Sequence, residues 1–299
     1  MSLIPTRPTA LPVRIVAWLN LIGNLAIIGT GGAVRLTGSG LGCPTWPLCT
    51  EDSLVNTPEM GIHGVIEFSN RTLSGVLGVL ALLLVVVTWR FASMRILAFV
   101  VLGGVIAQAV VGGITVLTGL NSWIVGFHYL ASIALVAVTT AIVLRAHRGL
   151  GAKERFLPGW MTITTHITTV LLVLTMSLGV VTTGSGPHSG DESALRNGLA
   201  WDVLAHIHAY AGYALVAALF VTLVGAIRAG ERRFLVAVLV VIGVVGVQIL
   251  VGIAQANLAL PPLLVGIHMV LAGIAVALTV VLVDASRRLI PVPASPVGI

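Results

Sequence analysis

Charged side chains are scarce in this 299-residue sequence. Asp, Glu, Lys and Arg together make up 9%, where a soluble domain carries about 25%. So few charges cannot cover the surface of a soluble fold, which excludes an ordinary globular enzyme, a disordered chain and a nucleic-acid binder. Cysteine is scarcer still, and two residues cannot build a disulfide scaffold. No stretch between the apolar runs is long enough to form a soluble domain of its own. The hydrophobic set reaches 57% before glycine is counted. The 34 glycines bring the apolar share to roughly 68%, against an average of about 45–50%. The formal net charge of +6 then reads as loop arginines facing the cytoplasm rather than as a surface for acidic partners.

A membrane-spanning helix needs about 20 apolar residues. Eight runs qualify: 12–34, 62–89, 95–117, 123–146, 160–182, 200–228, 234–255 and 261–284. Glycine and threonine inside them are ordinary for lipid-embedded helices. The first run is too long for a cleaved signal peptide and leads into GGAVRLTG without a small-residue cleavage motif. Thirteen of the sixteen Lys and Arg fall on one side of this pattern: Arg7, Arg14, Arg90, Arg95, Arg145, Arg148, Lys153, Arg155, Arg228, Arg232, Arg233, Arg287 and Arg288. Only Arg35, Arg71 and Arg196 lie elsewhere. Positive loops stay inside, so both termini are expected in the cytoplasm, with the first, third, fifth and seventh loops outside.

The sequence also repeats. AQAVVGGITVLTGLNSWIVGFHYLASIALVAV aligns with VQILVGIAQANLALPPLLVGIHMVLAGIAVAL. Gln108 matches Gln248, Gly112 matches Gly252, Gly126 matches Gly266 and His128 matches His268, each at an offset of 140. TGSG occurs at 37–40 in the first loop and again at 183–186 near the fifth. The expected fold is therefore an all-α membrane protein of eight transmembrane helices. They form two tandem four-helix bundles related by a pseudo-two-fold along the membrane normal. The boundaries are 1–150, including an outer cysteine loop at 35–61, and 151–299.

Five of the eight histidines sit near the outward ends of even-numbered helices: His63, His128, His206, His208 and His268. His147, His166 and His188 lie elsewhere and read as ordinary solvated or interfacial residues. Ionisable residues inside membrane helices are expensive and usually functional. Histidines on facing helices are a common way to hold a haem in a bundle, one nitrogen from each side. No cysteine or carboxylate cluster is present for zinc or copper. His208 and His268 therefore read as a bis-histidine haem site in the second half.

The first loop reads GGAVRLTGSGLGCPTWPLC over 31–49, and the second helix opens HGVIEFSNRTLSG over 63–75. These segments closely resemble the signatures of the haem A synthase (CtaA) family, and the resemblance runs the length of the chain. It implies an oxidoreductase of the bacterial plasma membrane that oxidises a methyl group of haem O to a formyl group, giving haem A for cytochrome oxidase. It implies haem b as cofactor between His208 and His268, haem O as substrate, a haem O synthase upstream, and a thiol or quinol electron donor. The substrate half in the family has a Glu and two His. The Glu falls on Glu67 and the second His on His128, the two candidate catalytic residues. The first His falls on Asn70, a departure from the family pattern, and the second cysteine pair of many members is absent.

Taken alone, the residues describe two unequal halves. Two histidines saturate an iron's axial positions, which suits electron transfer or structure. One strong ligand, His128 opposite Asn70, leaves a position open. His63, Glu67, Asn70 and Arg71 are spaced to share one face of a helix, so His63 is a second candidate for the missing ligand. Glu67 is the one carboxylate in the first bundle's apolar runs, and a carboxylate there must be paired or protonated. An ion pair with Arg71 and a proton acceptor beside the substrate both remain open. Arg35 and Arg71 lie at one depth and suit either haem propionates or interfacial anchoring. Cys43 and Cys49 lie on the oxidising side, where a disulfide is expected, with a thiol pair that passes electrons as the alternative. Two other functions use the same histidines or the repeat: a di-haem cytochrome b-type electron-transfer subunit, and a haem transporter. The first leaves Glu67 and Asn70 unexplained, the second the cysteine loop.

Overall fold

The computed structural model describes residues 5–289. The outermost residues of the two expected halves, 1–4 and 290–299, lie outside the described residues. The eight helices are α1 (Leu11–Leu36), α2 (Gly61–Thr88), α3 (Ala92–Leu117), α4 (Ser122–Arg148), α5 (Gly159–Ser185), α6 (Trp201–Ala229), α7 (Arg232–Asn257) and α8 (Pro262–Ala285). Among the described residues, eight helices are long and apolar enough to cross a membrane. The apolar runs locate each of them to within a few residues. The reason is physical: lipid offers no hydrogen bonds, so a spanning segment must satisfy its own backbone as a helix, and its length is set by the bilayer. Large apolar side chains such as Leu250, Val170 and Phe220 remain exposed on the outside of the bundle, the surface that lipid covers.

The helices α1 to α4 close a ring, with α1 packed on α2 and α4, α2 on α3, and α3 on α4. The helices α5 to α8 follow one another in the same way, and α5 also touches α8. The two sets meet where α8 packs on α1 and α4, and α4 on α5. Small residues permit that approach. Val270 of α8 lies over Gly29 of α1, Met269 lies over Gly32, and Leu25 and Ile28 of α1 lie over Gly273 of α8. Backbones come close at such sites and dispersion contacts hold them. Tyr129 Oη also donates across this seam to Met269 O at 2.9 Å.

Many polar groups inside the bundle are tied to the backbone. Asn20 is fully buried, and its Nδ2 donates to Val16 O and to Leu80 O, both at 2.9 Å. At one end of the bundle the loops knit together: Gly40 N–H donates to Gly190 O at 2.8 Å, and His188 Nε2 donates to Leu260 O at 2.8 Å. At the other end lie arginines. Asp284 pairs with Arg233 at 2.8 Å and with Arg148. A short antiparallel pair, β1 (Lys153–Arg155) and β2 (Arg287–Leu289), joins the connection after α4 to the chain after α8. The sequence reading holds no strand there; three residues are too few to show a period.

The connections 118–121 and 258–261 are each four residues and turn through left-handed backbone. Gly119 and Leu120 have φ of 60° and 60°, and Ala259 and Leu260 have 57° and 59°. At Gly119 this costs nothing, whereas Ala259 holds a conformation that costs an L-residue about 1–2 kcal/mol. Part of any relief is returned as glycine's greater unfolded freedom. Ala259→Gly should therefore stabilise the fold by about 0.5–1 kcal/mol, seen as a higher thermal midpoint in detergent. A lowered midpoint would show that the alanine methyl makes a contact worth more than the strain.

Candidate functional site

The two histidines of the last four helices come together. The His208 ring on α6 and the His268 ring on α8 have centres 6.4 Å apart. Each is set by its surroundings. His208 Nδ1 donates to the carbonyl of Thr175 on α5 at 2.8 Å, which leaves Nε2 as the ring nitrogen with a free lone pair. A Cβ on Gly179 would lie 2.9 Å from His208 Cε1, so only glycine leaves room for the ring. The carbonyl of His268 accepts from Gln248 Nε2 at 3.0 Å, and its ring rests over Gly252. His268 Nδ1 is buried without a hydrogen-bond partner. A metal–imidazole bond is about 2 Å, so two rings facing one metal from opposite sides have centres roughly 6 Å apart. The observed spacing fits one iron between them. A pair of imidazoles alone is a small donor set, and it suits a metal that brings its own equatorial donors, as haem iron does.

His128 on α4 is held in the same manner. Gln108 Nε2 donates to His128 O at 2.8 Å, the ring rests over Gly112, and Nδ1 is again buried without a partner. The halves differ in two details. Gln108 also reaches Ser132 Oγ, and the residue 140 places on is Ala272. No carbonyl-held histidine faces His128 from α2. Asn70 instead accepts a hydrogen bond from Thr30 of α1, Oγ1 to Oδ1, at 2.7 Å.

The expected shared face on α2 divides among three neighbours. His63 is exposed, and its Nδ1 lies 2.9 Å from Ser39 Oγ in the first loop. Asn70 addresses α1. Glu67 and Arg71 address the cysteine loop. A helix turns about 100° per residue, so these four positions span an arc of about 100°, wide enough to meet different elements. Glu67 is 5% exposed. Its Oε1 accepts from Arg71 Nη2 at 2.7 Å and Nε at 3.2 Å, and its Oε2 accepts from Cys43 N–H at 2.6 Å. Arg71 also donates to Cys43 O at 2.9 Å and to Leu48 O at 3.1 Å. Cys43 and Cys49 form a disulfide, and both are 0% exposed. Arg35 donates from Nε to His188 O at 2.8 Å and from Nη2 to Thr183 O at 2.9 Å. Those donors join α1 to the end of α5 and to the fifth loop.

The remaining histidines lie apart from these groups. His206 bonds its own helix, Nδ1 to Asp202 O at 2.7 Å, and His166 is exposed. His147 accepts from Trp18 Nε1 at 2.9 Å. The residues that sequence reading left out of the site are Gln108, Gln248, Gly112, Gly252, Gly179 and Thr175. The first four carried a signal, since they recur at the same offset as the histidines they support. Thr175 carried none, because it acts through a backbone carbonyl.

These features define a multi-pass helical membrane protein whose polar side chains gather as histidines and a carboxylate near the loop-knitted end. The chain belongs to the COX15-CtaA family, described as cytochrome oxidase assembly proteins, whose pattern it matches over residues 14–283. It is similar to the haem A synthase of Lysinibacillus sphaericus, 35% identical over 170 residues, which are 52% of this chain and 54% of that one. It is also similar to the haem A synthases of Staphylococcus saprophyticus and Bacillus cereus. The first is 30% identical over 175 residues, 55% of this chain and 57% of the relative. The second is 32% identical over 155 residues, 47% and 48%. The chain spans about half the length of the relatives it matches.

Full burial of both sulfurs makes a direct prediction. Thiol labelling of the native protein, and of the protein unfolded without reductant, should give no reactive cysteine. Unfolding with reductant should expose two. Labelling before reduction would refute the bond.

Proposed function

We propose that this protein is a haem A synthase, oxidising a methyl group of haem O to a formyl group to supply haem A to cytochrome oxidase. The observation that carries the reading is the His208–His268 pair, 6.4 Å apart and individually braced, in a chain of this family. In this reading the two residues hold haem b between α6 and α8, and the haem supplies one-electron chemistry when bound. Thr175 O keeps the proton on His208 Nδ1, which leaves Nε2 to ligate, a common second-shell device. Gln248 and Gly252 fix the height and tilt of His268.

The first four helices take the substrate. His128 is the ligand to the haem O iron, braced by Gln108 and Gly112 as its counterpart is. Asn70, held by Thr30, offers an amide rather than a second imidazole on the α2 side, which leaves that position open. The methyl-to-formyl change removes electrons and protons from one carbon and adds an oxygen. Glu67 is the proton acceptor, and its bonds to Arg71 keep it oriented until it acts. The matching Gln–His and Gly–His contacts at an offset of 140 support two bundles, 1–150 and 151–299, related by a pseudo-two-fold along the membrane normal. The loop-knitted end faces outward and the arginine end the cytoplasm of a bacterial plasma membrane, which puts both termini inside. Haem O arrives from a haem O synthase. Dioxygen is the oxidant and the source of the formyl oxygen. Two successive hydroxylations of the methyl carbon each reduce one dioxygen, placing one oxygen on carbon and releasing the other as water with electrons from a thiol or quinol. The resulting gem-diol loses water to give the formyl group.

The test is to load the purified protein with haem O, extract the pigment and separate the products. Haem A is expected, and haem O returned unchanged would favour the electron-carrier or transporter reading. Replacing His208 or His268 with Ala should lower haem b content, and normal haem b in both variants would sink the assignment. Glu67→Gln should keep haem b and lose haem A formation. In the substrate half, His128→Ala should abolish haem A formation and Asn70→Ala reduce it only partly. If His63→Ala proves as damaging as His128→Ala, the second ligand comes from the start of α2 instead. An inactive Asn70→Ala beside an active His128→Ala would place the substrate on α2.

A further inference from the structure

Between them, Glu67 and Arg71 grip the cysteine loop at three backbone points. Cys43 N–H donates to Glu67 Oε2 at 2.6 Å, and Arg71 donates to Cys43 O at 2.9 Å and to Leu48 O at 3.1 Å. Each carboxylate oxygen thus has a separate anchor. Oε1 is fixed from within α2 by Arg71, and Oε2 is fixed by the loop. The disulfide closes the ring that carries that anchor, and both sulfurs are 0% exposed. Sulfurs so buried are badly placed to exchange with an external dithiol, which must reach them in line.

The loop is also wedged in place by packing. Gly42, next to Cys43, lies against the backbone of the first turn of α2, where a Cβ would be 2.9 Å from Gly64 N and closer to His63 O. The indole of Trp46 lies flat on Gly113 of α3, and the neighbouring Gly112 is the residue on which His128 rests. The loop therefore touches α2, which carries Glu67 and Asn70, and α3, on which the His128 ring rests.

We propose that the Cys43–Cys49 loop is a positioning clamp for Glu67. Its closed ring holds the Cys43 N–H on Oε2 and so sets the direction in which the carboxylate faces, with no part for sulfur in the chemistry. The consequence for turnover rests on Glu67 being the proton acceptor; the clamp itself rests on geometry.

Infrared spectroscopy of the full-length protein reads the clamp directly, through the carboxylate band that Glu67→Gln removes. Two variants open it by different routes. Cys43→Ser with Cys49→Ser removes the ring closure, and Gly42→Ala keeps the disulfide but lifts the loop off α2. The Glu67 band should move in both, haem b content should stay near wild type, and haem A formation should fall about tenfold, the effect of one lost charge-assisted hydrogen bond. A Glu67 band unmoved in the double cysteine variant overturns the clamp, and activity lost there would then belong to the sulfurs. So does an unmoved band in Gly42→Ala with the variant folded and haem-loaded. A band that moves while haem A formation is unchanged upholds the clamp and counts against Glu67 as acceptor, so the two ideas fail separately.

Discussion

A polar group buried in a membrane bundle must find its partner within the chain, because lipid supplies none. This constraint shapes many of the buried polar residues here. Buried threonines return their hydroxyls to the preceding turn, as Thr139 does to Leu135 O at 2.8 Å and Thr165 to Met161 O at 2.8 Å. Asn20 and Asn24 follow the same course, and Asn20 extends it to α2. Where a charge enters the bundle the demand is larger, since an unpaired ion costs several kcal/mol even after relaxation. Glu67 meets it with a guanidinium and a loop amide together. Asp284 meets it at the opposite end with Arg148 and Arg233.

Against that background the histidines stand out. His128 and His268 each keep a buried ring nitrogen without a protein partner, although a glutamine and a glycine fix their backbone and ring. Other buried polar atoms also lack a partner, Thr162 Oγ1 and Thr279 Oγ1 among them, but His128 and His268 leave the same atom unpaired at positions 140 residues apart. Such exceptions call for an explanation, and a metal brought by a porphyrin is the one we propose. The unlike residues then carry meaning. On the α6 side a carbonyl orients an imidazole, whereas on the α2 side a threonine orients an amide. An imidazole is a strong iron ligand and an amide is not, so in the proposed reading the same frame would support a retained haem in one place and an exchangeable one in the other.

Much of this was legible in the sequence, and what was not has physical reasons. The eight runs are visible because bilayer thickness dictates their length. The Gln108–His128 and Gln248–His268 contacts were foreshadowed by the offset of 140, though not that the glutamines bond the histidine carbonyls. The Glu67–Arg71 pair follows from helical spacing. The Cys43 N–H on Glu67 does not, since it depends on the path of a loop that no periodicity governs. The left-handed Leu120 and Leu260 were hidden too, because leucine favours helix and gives no turn signal. Spacing alone placed His63, Glu67, Asn70 and Arg71 on one face. It could not show that an arc of about 100° reaches a loop, a helix and a second loop residue separately.

The last link is between the two sets of helices. The first loop is bound to α2 by Arg71, while Arg35 and Gly40 bind it and the end of α1 to α5 and the fifth loop. His188 then binds the fifth loop to the turn before α8, the helix that carries His268. A continuous path of hydrogen bonds therefore runs from the turn leading into α8 to the loop that holds Glu67. Each step is a backbone carbonyl or amide met by a polar group, so no single side chain carries the whole. The proposed separation into a substrate half and a haem half would thus be one of chemistry and not of mechanics. Loosening the loops on one side should disturb the geometry on the other, because the same chain of hydrogen bonds ties both.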